Sequence, residues 1–302
     1  MTGVKKLKAV LLFGLMLMAA IGLMLVSCGQ KTDTASESAV IVDSTASADG
    51  VMIHYRVMGS NNDKALVFVH CWSGDQTYWD ETVKAFKDNY KVVTLDLAGH
   101  GRSGMNRDEW TIEAFGADVA AVVNKLGLKN VILVGHSMGG AVNIAAANLL
   151  PEQVVALIGV DTYQNLQQKM SDEQIKQFTA AFEADFPGVV RQFVSSMFPP
   201  TADTALVRKV ADDMAAAPKD VAMGAIMSLF KYDAPTALET MRKPIRGINA
   251  DMVPVSVEGN KAVAESFEVT VLPGYGHFLQ LEDPVTFNRE LKEAIEEFWP
   301  AE

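Results

Sequence analysis

The chain has 302 residues, 49% of them apolar and 21% charged, which is enough apolar material for a full-sized core. Its net charge is -11, and no stripe rich in Lys and Arg breaks that balance beyond the first residues, which argues against a nucleic-acid partner. With only Cys28 and Cys71 present, a disulfide framework is excluded as the organising principle.

Lys5, Lys6 and Lys8 precede an uncharged run from Ala9 to Val26, the basic and apolar regions of an export signal. The run ends in Leu25-Val26-Ser27-Cys28, which resembles the lipobox of bacterial lipoproteins. That resemblance implies cleavage after residue 27, lipidation of Cys28 and attachment to a membrane of the bacterial cell envelope. With Gly29 after the cysteine, it implies the periplasmic side of the outer membrane if the envelope is double. An uncleaved anchor helix is the other reading, since such a run just spans a bilayer. Residues 28–48, rich in Ser, Thr, Ala and Asp, read as a flexible tether. The globular domain is expected over 49–302.

Asp49-Gly50 and the alternating Val51–Met58 predict a hairpin at the start of that domain. Ala65–Val69, Lys91–Leu95, Val131–Val134 and Val154–Val160 are short continuous apolar runs, the pattern of strands covered on both faces. Helical stretches lie between them, at Trp79–Asn89, Thr111–Leu126 and Gly139–Leu150. This alternation predicts an α/β fold with a mostly parallel sheet. From about 162 to 240 the strand signal stops, and amphipathic segments such as Ser171–Asp185, Thr204–Ala217 and Val221–Tyr232 predict an inserted helical cap. Lys243–Asn249 and Phe267–Leu272 resume the sheet, and Pro284–Phe298 closes the chain as a helix.

Chemistry concentrates in Val131-Ile-Leu-Val-Gly-His-Ser-Met-Gly-Gly140, an apolar strand entering Gly-x-Ser-x-Gly and a helix start. A serine on such a turn exposes its hydroxyl, and the flanking glycines keep side chains out of a tight backbone. Ser137 is therefore the candidate nucleophile. A serine hydroxyl needs a base, and the base needs a carboxylate to orient it. His277, in the glycine-rich loop Pro273-Gly-Tyr-Gly-His277 after the last strand, is the candidate base. For the acid, Asp251 after the penultimate strand is preferred, and Asp161, ending the strand before the cap, is the alternative. Asp96 precedes Ser137 and reads as a brace for its loop. An oxyanion needs backbone donors, expected from Met138 and from Trp72 in the His70–Gly74 loop. No His-x-His or His-Glu-x-x-His pair occurs, so no metal site is expected.

The order His70-x-Trp72, Asp96-x-x-Gly-His-Gly-x-Ser103, Gly-His-Ser137-Met-Gly-Gly, Asp251 and Gly-His277-Phe resembles the α/β-hydrolase fold superfamily from about residue 50 onward. The resemblance implies an eight-stranded, mostly parallel sheet, a cap inserted after strand six, a Ser-His-Asp triad and no cofactor. Cys71 departs from it, standing where the family usually has glycine, and reads as a buried, inert thiol, with a second, reactive nucleophile as the alternative.

These residues together predict a carboxylester hydrolase acting on a small-molecule acyl substrate through an acyl-enzyme. Trp72, Trp79, Met138, Phe278 and the cap are expected to supply an apolar pocket, or else core. A non-catalytic binding protein of this fold, or a carbon–carbon bond hydrolase or acyltransferase using a similar triad, are the alternatives. Oligomeric state is not legible in the sequence.

Overall fold

The computed structural model describes residues 40–59 and 62–300. Residues 1–39 lie outside it, so the signal segment, Cys28 and most of the tether fall beyond the described residues. No helix among the described residues is long and apolar enough to cross a membrane.

Eight strands form one sheet: β1 (Ile41–Ala46), β2 (Met52–Gly59), β3 (Lys64–Val69), β4 (Lys91–Leu95), β5 (Asn130–His136), β6 (Val154–Val160), β7 (Ile245–Ala250) and β8 (Phe267–Leu272). Their spatial order is β1-β2-β4-β3-β5-β6-β7-β8. β2 runs antiparallel to both β1 and β4, and every other pair is parallel. Successive residues of the central strands face opposite layers, and both layers are dry. Val131 and Leu133 pack on one side with α2 (Ile112–Lys125) and α3 (Met138–Leu149). Ile132 and Val134 pack on the other with α1 (Asp80–Phe86) and α11 (Pro284–Phe298). Complete burial of Trp79, Phe68 and Phe287 in this second layer contributes roughly 1.5–3 kcal/mol per side chain.

Between β6 and β7 the chain leaves the sheet for five helices: α4 (Asp172–Ala184), α5 (Phe186–Ser195), α6 (Thr204–Ala215), α7 (Lys219–Lys231) and α8 (Ala234–Met241). α4 starts with a full capping box between Ser171 and Gln174, and α5 and α8 carry Pro in their first turn, where the missing N–H costs nothing. The shorter α9 (Val257–Lys261) and α10 (Leu279–Glu282) follow β7 and β8.

The sheet begins earlier than the tether reading over 28–48 allowed. Ile41–Ala46 pairs in register with Val57–Met52, and the Ser47–Gly50 turn is closed by the Ser47 N–H on the Val51 carbonyl at 2.8 Å. This edge strand is mostly exposed on both faces, so ladder hydrogen bonds rather than burial hold it, and a polar composition leaves no alternation to read.

Candidate active site

β5 delivers Ser137 at the carboxyl edge of the sheet with φ 54° and ψ -116°, and the chain turns directly into α3. The Ser137 N–H donates to the Val160 carbonyl at 3.0 Å, pinning the turn to the end of β6. The flanking glycines answer to contact: a Cβ on Gly135 would lie 2.4 Å from the Gly139 carbonyl oxygen, and one on Gly139 would lie 2.6 Å from that of Val69. The positive φ is carried by Ser137 itself, a strained conformation of the kind found at functional sites.

His277 sits in the loop after β8, and three consecutive amides of that loop are held. Glu282, from α10, accepts the Gly276 N–H at 2.9 Å and the Phe278 N–H at 3.1 Å, while the His277 N–H donates to the Met197 carbonyl of the cap at 2.8 Å. Partial burial raises the Glu282 carboxyl above its ordinary pKa, against the opposing pull of those two amides. Beneath the ring, buried His136 donates from Nε2 to the His277 carbonyl at 2.7 Å and accepts at Nδ1 from Gln280 at 3.1 Å. Burial holds His136 neutral by driving its pKa well down, which matches this one-donor, one-acceptor arrangement.

The carboxylate facing His277 is Asp161, and the preference for Asp251 is corrected. Asp161 Oδ2 accepts from His277 Nδ1 at 2.5 Å, and its Oδ1 accepts the Ala250 N–H at 2.9 Å. This partnership places the His277 proton on Nδ1 and leaves Nε2 free as an acceptor. Asp251 is exposed and accepts the Gly274 N–H at 3.0 Å, bracing the start of the same loop away from the imidazole. The difference is one of backbone: Asp161 has φ 41°, which turns its side chain back over the end of β7, whereas Asp251 lies in a bend beyond that strand.

The N–H groups of Trp72 and Met138 donate to no acceptor among the described residues. Met138 opens α3, whose aligned peptide dipoles favour negative charge at that end. The Trp72 indole reaches into the cap, donating to the Ala222 carbonyl at 2.7 Å and meeting Phe182, Phe186 and Phe193 edge-on. Cys71 is buried and its thiol is pushed up to about 12 by loss of solvation, so it is protonated at neutral pH. Asp96 braces the preceding loops: its carboxylate accepts from the Gln76 N–H, the Gln76 side chain and the Arg102 N–H at 2.8–3.0 Å.

Ser137, Asp161 and His277 line one cavity of about 280 Å³. Its remaining wall comes from Ala141 and Ile144 of α3, residues 162–166 with Gln168 and Met170 in the loop after β6, Leu229, Phe230 and Tyr232 around the end of α7, and Ala234. Trp72, Trp79, Met138 and Phe278, expected from sequence as pocket or core, are core: all four are buried and none lines this cavity. Glu282, Met197 and the polar residues after β6 were not legible as site residues, because nothing in their local sequence marks them, and His136, although inside the Gly-x-Ser-x-Gly turn, carries no local sign that it holds the His277 carbonyl. Among the described residues, no group of three or more His, Cys, Asp or Glu side chains is spaced to hold a metal ion.

A strand-turn-helix serine at the edge of this sheet order, with a cap inserted after the sixth strand, defines a class, and the chain belongs to the alpha/beta hydrolase family, whose profile matches residues 66–290. A bifunctional esterase/perhydrolase of Acinetobacter calcoaceticus is 39% identical over 93 residues, 30% of this chain and 34% of that one. 3-oxoadipate enol-lactonase 2 of Acinetobacter baylyi is 23% identical over 262 residues, 84% of this chain and 97% of that one. Several other curated relatives are matched over only 32% to 37% of their length. A crystal structure of bromoperoxidase from Bacillus anthracis superposes with a TM-score of 0.75 at 21% identity, covering 85% of this chain and all of that one, a likeness of fold.

Proposed function

We propose that the protein is a serine hydrolase that cleaves carboxylic esters through an acyl-enzyme. The observation that carries this reading is that the strained Ser137 and the His277–Asp161 pair line one cavity. Ser137 Oγ attacks the ester carbonyl while His277 Nε2 takes its proton, and Asp161 stabilises the resulting imidazolium. His277 passes the proton to the departing alkoxide, and a water molecule activated by the same nitrogen releases the acid. The Trp72 and Met138 N–H groups receive the oxyanion. Ester-cleaving names among the relatives, including an esterase and an enol-lactonase, support this chemistry. The export and lipidation of Cys28 implied by residues 1–28 are part of the proposal and would hold the enzyme at a membrane.

The test is fluorophosphonate labelling of the full chain with peptide mass mapping and a Ser137→Ala control. The expected result is one adduct, on Ser137, that the control lacks. Folded protein that stays unlabelled at high probe concentration overturns the reading in favour of a binding protein.

A further inference from the structure

The cavity beside Ser137 has two unlike walls. One is apolar, from Ala141, Ile144, Leu229 and Phe230. The other is polar and uncharged, from Thr162, Gln164 and Tyr232, whose side chains hydrogen-bond to nothing among the described residues. Burial raises the Tyr232 hydroxyl above its ordinary range, so it stays protonated as a donor.

No Lys or Arg lines this space, and its one acid is Asp161, already engaged by His277 and the Ala250 N–H. Of the lysines that flank the lining segments, Lys169 is paired with Asp233 at 2.7 Å and Lys231 with Asp172 at 3.2 Å. A substrate carboxylate entering here would lose its hydration, gain no cation and lie near Asp161. The space also matches a small occupant: an apolar cavity of about 150 Å³ holds one benzene ring, so the 280 Å³ walled here corresponds to on the order of ten non-hydrogen atoms.

From these walls we infer that the site takes short, uncharged acyl esters, with Thr162, Gln164 and Tyr232 as the groups that set specificity, and that it rejects acyl chains ending in a carboxylate. This rests on the cavity of the hydrolase reading but does not require turnover. It also separates the chain from any relative whose substrate carries a free carboxylate.

Binding is measured by calorimetry and ligand-observed NMR on the full chain with Ser137→Ala, using phenyl butanoate, monophenyl succinate and phenyl dodecanoate. The first two differ by a terminal methyl against a terminal carboxylate, and the third extends well beyond the walled space. The butanoate is expected to bind about 100-fold tighter than the succinate, the scale of an unpaired buried charge. Gln164→Lys is expected to narrow that gap by about tenfold by supplying a cation. Equal affinity for the two, tighter succinate binding, no binding of either, or tenfold tighter dodecanoate binding overturns the inference. Because labelling of Ser137 reports on chemistry separately, loss of one result leaves the other interpretable.

Discussion

Replacing Asp161 by Asn tests the geometry most sharply, with Asp251→Asn as its internal control. In the native site each oxygen of Asp161 accepts one N–H, from His277 Nδ1 at 2.5 Å and from Ala250 at 2.9 Å. A carboxamide has one oxygen and one NH2, so one of these donors must face another donor. The ring can relieve the clash only by moving its proton to Nε2, where a lone pair is needed to accept from Ser137. A wrong tautomer of this kind lowers kcat by about 10⁴ in a triad enzyme, roughly 5 kcal/mol of transition-state stabilisation. Asp251→Asn keeps an oxygen for the exposed Gly274 N–H, and its expected effect is within about 0.5 kcal/mol, or about twofold in rate. The assay is steady-state hydrolysis of an aryl ester, with circular dichroism to verify that both variants are folded. Activity of Asp161→Asn within tenfold of the parent, together with collapse in Asp251→Asn, would refute the reasoning.

Glu282→Gln keeps one acceptor for the His277 loop and loses the other, so kcat is expected to fall about tenfold with KM little changed, and Glu282→Ala further, because the residue positions the base and touches no substrate. His100 is held neutral by burial, with its pKa lowered from 6.5 to about 3. The unfolded chain therefore binds the extra proton throughout that window, and stability falls as pH drops from 6.5 towards 3. Urea midpoints should show a loss of about 1.6 kcal/mol between pH 6.5 and pH 5 from this residue, with His70 and His136 adding in the same direction, and a flat profile would contradict it. Iodoacetamide at pH 8 should leave Cys71 unmodified in the folded protein and alkylate it in urea, as peptide mapping can show.

Periodicity and local chemistry, taken from the chain alone, determine the α/β alternation, the sheet with both faces covered, the cap after the sixth strand and the placement of Ser137 and His277 at the sheet's carboxyl edge. These are local signals: an apolar run reads as a buried strand wherever it lies, and a serine between glycines marks a tight turn without reference to distant residues. Tertiary structure alone decides between Asp161 and Asp251, since both end adjacent strands in the expected order and the sign of one φ angle aims the carboxylate. It also decides that Trp72, Trp79, Met138 and Phe278 fill the core while Thr162, Gln164 and Tyr232 line the cavity beside Ser137, because burial depends on what the rest of the fold brings alongside. The edge strand Ile41–Ala46 and the Met197 carbonyl that holds the His277 N–H belong to the same category: backbone hydrogen bonds join them to their partners, and side-chain type carries no record of such bonds.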